Sequence, residues 1–208
     1  MKRATLYLLL IAAPILSAGQ TDAPVRRPEI RVGDSWTYRS TNYFAPGTHE
    51  HETRVSFADD KAILVVSTSK SDGKEVDSSW TREWNAVTSP SRFVFRPDSG
   101  LFRFPLRVGD QHEVKYELLR PRMSTAESST TGSAKVVGWE TVDVPAGKFR
   151  AIKVELDSTV QPVDGSRAFS RQGAFWYVPE VRRWVKFQIV TPRASISEEL
   201  LEYKLTEN

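Results

Sequence analysis

The chain has 208 residues, with 29 basic and 26 acidic side chains, six tryptophans and no cysteine. Near-balanced, interspersed charge leaves no broad basic footprint and argues against a nucleic-acid binder. The missing thiols exclude a disulfide framework and a cysteine nucleophile.

Residues 1–19, MKRATLYLLLIAAPILSAG, place Lys2 and Arg3 before an apolar run from Ala4 to Ala18, with small residues at Ser17-Ala18-Gly19. Charge, length and exit are those of a secretory signal peptide. The run falls short of the roughly 20 apolar residues of a spanning helix, and Pro14 interrupts it. Gly19 stands where acylated bacterial lipoproteins carry cysteine, so lipidation of that kind is not expected. Cleavage after Gly19 leaves 189 residues with 27 basic and 26 acidic side chains, a charge of about +1. Such a chain can bury about 70 per cent of its unfolded surface without staples. The expected organisation is a flexible segment over 20–29 and a single β domain over 30–208, periplasmic or extracellular.

Strand signals then dominate. Ser35 to Phe44, Glu52 to Phe57, Ala62 to Ser69, Gln111 to Leu119, Ser133 to Trp139, Phe149 to Val160, Ala168 to Val178, Trp184 to Val190 and Glu198 to Leu205 are rich in β-branched and aromatic residues. Asp72-Gly73 and Asp164-Gly165 read as tight hairpin turns. Lys74 to Val87 carries both a helical and an alternating pattern. The Asp-Gly before it and its weak helix formers favour strand. In WETVDVPAGKFRAIKVEL, from Trp139 to Leu156, half-buried strands flank Pro145-Ala146-Gly147, which reads as a corner with Asp143 and Lys148 as a surface pair. Arg120-Pro121-Arg122 and Arg182-Arg183 read as solvated clusters. Regular short strands without helical interludes predict an antiparallel all-β domain.

Arg31-Val32-Gly33-Asp34 recurs as Arg107-Val108-Gly109-Asp110, each before a strand. Strand-start punctuation explains this, and so do two related halves near 30–104 and 105–208. With Val32-Gly33-Asp34-Ser35-Trp36, the Val142 to Phe149 corner, and Trp176-Tyr177-Val178-Pro179 leading to Val185-Lys186, the chain resembles a family of uncharacterised secreted bacterial proteins. That family looks related to the Lol-type lipoprotein carriers, so the resemblance implies a curved antiparallel sheet forming an incomplete barrel around an apolar interior. It carries no catalytic residues over, and no helix suits the plug of a lipoprotein carrier.

Chemistry is sparse. His49 and His51 would share one face of a strand and are the weak metal candidates, but a closed site needs about two more ligands and His112 is the remaining histidine. No Gly-x-Ser-x-Gly elbow or phosphate loop occurs, and Glu83, Glu113 and Glu180 are not paired by spacing. No enzyme activity and no cofactor are implied; a hydrolase with an unrecognised site is the remaining alternative. Tryptophans are the remaining lead. Trp36, Trp80, Trp84, Trp139, Trp176 and Trp184 are core by the plainer reading; alternatively Trp80, Trp84 and Trp176 line a groove for a lipid or acyl chain. The expectation is an exported binding protein of the cell envelope, with an apolar small molecule as partner. The other reading is an assembly factor that binds envelope proteins through an open sheet edge. No nucleic acid and no membrane span are expected, and oligomeric state is left open.

Overall fold

A computed structural model describes residues 23–207 except positions 46, 122 and 124. The signal-peptide expectation falls on residues 1–19, outside the described residues. Twelve strands follow in order: β1 (Ser35–Asn42), β2 (Thr48–Ala58), β3 (Ala62–Ser69), β4 (Glu75–Thr81), β5 (Ala86–Thr88), β6 (Val94–Arg96), β7 (Gln111–Leu119), β8 (Ala126–Val144), β9 (Gly147–Pro162), β10 (Phe169–Val178), β11 (Arg183–Thr191) and β12 (Ala194–Lys204). Each pairs antiparallel with its neighbours in sequence, and β12 returns to β1, from Ser35↔Lys204 to Asn42↔Ile196. The all-β antiparallel reading stands, but the barrel is closed and not incomplete. Closure rests on a pairing between the two ends of the domain, which no local pattern announces. It also removes the free sheet edge on which the assembly-factor reading depended.

Strand alternation sets the inside. Trp36 and Tyr38 on β1, Val114 and Tyr116 on β7, and Ile152, Val154 and Leu156 on β9 are buried, while Lys153 and Glu155 pair outside at 2.7 Å. Lys74 to Val87 is extended through β4, then turns, so Trp80 is a strand residue and Trp84 is not. Trp84 has φ 60, a left-handed conformation unusual for a bulky side chain. The wall is thinnest at β5 and β6, three residues each, joined by the single register pair Thr88↔Val94. β6 was not legible in the sequence, and β5 only as the end of the Lys74 to Val87 segment.

The two Arg-Val-Gly-Asp turns have the same backbone. Gly33 has φ 93 and Gly109 φ 94, in the left-handed region that glycine tolerates. The Gly33 N–H donates to Val55 O and the Val55 N–H to Asp34 O, both at 2.9 Å; Gly109, Val136 and Asp110 repeat the pattern at the same distances. Their side chains diverge. Asp34 is fully buried and accepts from Arg182 Nη1 at 3.0 and 3.1 Å, from the Thr206 N–H at 2.8 Å and from the Arg31 N–H at 3.1 Å. Asp110 is exposed, with Arg107 at 3.9 Å. The Val144 to Gly147 corner is a hairpin joining β8 to β9, with Gly147 at φ 134 and the Ala146 N–H donating to Leu200 O at 3.0 Å. Asp143 and Lys148 meet across it at 3.5 Å, exposed.

Candidate functional site

One end of the barrel is filled. The irregular segment 97–110, between β6 and β7, turns inward and buries Leu101, Phe102 and Leu106. Asn85 clasps it, its amide donating to Phe102 O and accepting from the Phe102 N–H, each at 2.8 Å. Around this plug the polar tips of three inward aromatics find carbonyls: Trp36 Nε1 donates to Val181 O at 2.9 Å, Trp84 Nε1 to Arg182 O at 2.8 Å, and the Tyr38 hydroxyl to Trp184 O at 2.7 Å. Val25 is tied on by reciprocal 2.9 Å bonds with Leu106, so part of the segment expected to be flexible is anchored.

Arg183 corrects the reading of Arg182-Arg183 as solvated. It is 4% exposed, and its guanidinium carbon lies 4.4 Å from the ring centres of both Trp84 and Trp184, 5.0 Å from Trp36, and 5.6 Å from Tyr38 and Trp80. Aromatic faces attract a desolvated cation, by about 2 kcal/mol at a favourable contact. Burial holds its pKa below the usual arginine range, against the opposing fields of Tyr38 and Glu198. Arg182 is also not free: it adopts φ 61 to reach Asp34.

Above the plug lies an apolar cavity of about 180 Å³, bordered by Trp80, Trp84, Phe175, Trp184, Phe187 and Ile189 among others. Leu101 from the plug floors it. Trp80 and Trp84 are thus brought together, with ring centres 5.8 Å apart, and Trp184 lies 5.8 Å from Trp80. Trp176 is not with them. It alternates with Phe175 and Tyr177, donates from Nε1 to Glu140 at 2.8 Å, and has the ammonium groups of Lys153 and Lys186 at 5.3 and 6.0 Å from its ring.

The other end is a mouth framed by the turns at residues 43–45, 70–74, 163–168 and 192–193 and near 90. One side holds a cavity of about 700 Å³ bordered by Tyr116, Arg120, Arg167, Arg171 and Arg193, which shares Tyr116 and Arg171 with the apolar cavity. The opposite side holds a polar basin of about 600 Å³ with His49, His51, Ser67, Lys74 and Glu198. His49 and His51 share a face as their spacing implied, with rings 5.7 Å apart at 14°. Among the described residues no group of three or more His, Cys, Asp or Glu side chains is placed to hold a metal ion.

His51 Nε2 approaches Glu198 Oε1 at 3.7 Å. Burial, then the fields of Arg183 and His49, lower His51 to about 4, and burial raises Glu198 to about 7 despite Arg183. Near pH 5.5 both groups are therefore neutral, and the contact is not an ion pair there. Sequence reasoning missed Arg171, Arg183 and Glu198, since a charged residue on an alternating strand reads as solvent-facing. The available signal was phase: Arg171 shares the parity of Phe169 and Phe175.

Among the described residues no helix is long and apolar enough to cross a membrane. No protein-family model matches the chain, and no curated protein matches it significantly. Two solved structures align along their whole length and 88% of this chain with a TM-score of 0.53. One, at 12% identity, is provisionally classed as a lipoprotein from Parabacteroides distasonis ATCC 8503; the other, at 16%, is an exported protein with a YmcC-like fold from Bacteroides fragilis NCTC 9343. At these identities the likeness is one of fold.

Proposed function

We propose that this is an exported, non-catalytic binding protein of the bacterial cell envelope that holds an apolar ligand inside its barrel. The observation that carries the reading is the aromatic cavity above the plug, bordered by Trp80, Trp84, Trp184, Phe175 and Phe187, beside a wide mouth. Ligand sites are concave, mostly apolar and supplied with a few polar groups, and this interior has that composition. The signal-like residues 1–19 and the exported or lipoprotein description of the two fold relatives support the compartment. Against catalysis, His51 with a pKa of about 4 is a weak base, and among the described residues no serine donates to it.

Native mass spectrometry of protein purified from the periplasm, together with uptake of a fluorescent fatty acid, tests the proposal. Co-purified lipid, or saturable uptake that falls in the Trp80→Ala and Phe187→Ala variants while both stay folded, is the expected result. Neither lipid nor uptake would remove it.

A further inference from the structure

Resting on that reading, we propose that the ligand is a single-chain amphiphile with an anionic head, a carboxylate or phosphate, held by Arg171 at the mouth. Its acyl chain runs down into the aromatic cavity.

Arg171 lies where the two chemistries meet. On β10 it shares its inward face with Phe169, Phe175 and Tyr177, and it borders both the mouth cavity and the apolar cavity. Its Nη1 donates to the Tyr116 hydroxyl, a neutral partner, which fixes the guanidinium at the boundary and leaves its other donors uncommitted. Among the described residues Arg167, Arg171 and Arg193 make no ion pair within 4.0 Å, whereas Arg120 is held by Glu127 at 2.7 Å. The mouth cavity is bordered by four arginines against two carboxylates, Glu127 and Asp164, an excess of two positive charges.

A half-buried guanidinium with donors left over is a ready partner for an anion. The planar guanidinium fork matches carboxylate and phosphate oxygens in pairs. A ligand with its head at Arg171 finds Phe175, Phe187 and Ile189 below it for its chain. An alcohol of equal length would fill the same apolar space but leave Arg171 unpaired, and a cationic amphiphile would be repelled.

The test is displacement of a fluorescent fatty acid from the full chain by dodecanoate, dodecyl phosphate, dodecanol and inorganic phosphate. The two anionic amphiphiles should compete at least about tenfold better than dodecanol. Arg171→Gln should abolish that preference by weakening the two anions far more than dodecanol. Arg193→Gln, at an exposed hairpin tip, should reduce the preference in the same direction and serves if Arg171→Gln does not fold. Dodecanol competing as well as the anions would overturn the head-group inference while the apolar-ligand reading stood. Inorganic phosphate competing as well as dodecyl phosphate would make the mouth a free-anion site, which also overturns it. Absence of any probe binding would remove the apolar-ligand reading and this inference with it.

Discussion

At the plugged end of the barrel Trp36 and Phe102 are buried to 2% exposure or less, the indoles of Trp36 and Trp84 donate to carbonyls, and Asp34 is paired with Arg182. At the mouth, Arg171 faces inward with the Tyr116 hydroxyl as its partner, and space remains between the walls. The same twelve strands with the same alternation serve both ends. What separates them is the 97–110 segment, which fills one end and has no counterpart at the other among the described residues. Alternation therefore decides which residues face inward, while a single long connection decides whether they are core or cavity lining.

The largest effect that would break this comparison is Trp36→Ala, which opens a cavity at the sealed end and should cost about 3–5 kcal/mol in urea unfolding. Trp80→Ala, bordering space that already exists, should cost clearly less and instead weaken probe uptake. Equal costs would mean that the two ends are packed alike. The two Arg-Val-Gly-Asp turns sharpen the contrast. Asp34→Asn should cost about 3 kcal/mol because it breaks a buried ion pair and leaves Arg182 without its partner. Asp110→Asn, on the same backbone but exposed, should stay within about 0.5 kcal/mol by the same measurement.

The mouth also predicts a pH dependence. Glu198 is raised from 4.5 to about 7, so its stabilising share is fully present below pH 4.5 and lost as pH rises through 7. His51 is lowered from 6.5 to about 4, so its share is present above pH 6.5 and lost as pH falls through 4. Between about pH 4.5 and 6.5 the two slopes oppose, with Arg183, Tyr38 and His49 as the groups facing them, and the parent protein should change little. His51→Gln should expose the carboxyl slope, with stability falling by about 1–3 kcal/mol from pH 4.5 to 7. Glu198→Gln should expose the reverse slope. Urea midpoints across that range check both. Smallest is Gly147→Ala at the β8–β9 hairpin. With φ 134 it should cost about 1 kcal/mol in melting experiments and leave probe uptake unchanged.

Much of the wall was legible because period-two alternation is local. The nine strand expectations fall on β1–β3 and β7–β12, the Lys74 to Val87 segment supplies β4, and both Gly-Asp turns and the Pro145–Gly147 corner are turns. Long-range features were not legible. Closure depends on β1 meeting β12, and the plug is an irregular segment whose Phe102 carries no periodic mark. Of the three tryptophans singled out together, Trp80 and Trp84 border the cavity, but Trp84 arrives there from a turn. Trp176 shares a strand with Phe175 yet takes the opposite phase. The buried charges were least legible, because Arg183 is accommodated by rings contributed from β1, β4 and the turn after it, far away in sequence.

Thr88↔Val94, the one register pair between β5 and β6, gives the circumference a kinetic weak point. Local stability follows contact density, so native-state hydrogen exchange should find the amides of this short stretch opening long before those of the β8–β9 ribbon. Ala86, Ser89 and Phe95 from this stretch border the aromatic cavity. Opening of this stretch would expose that cavity through the side of the wall.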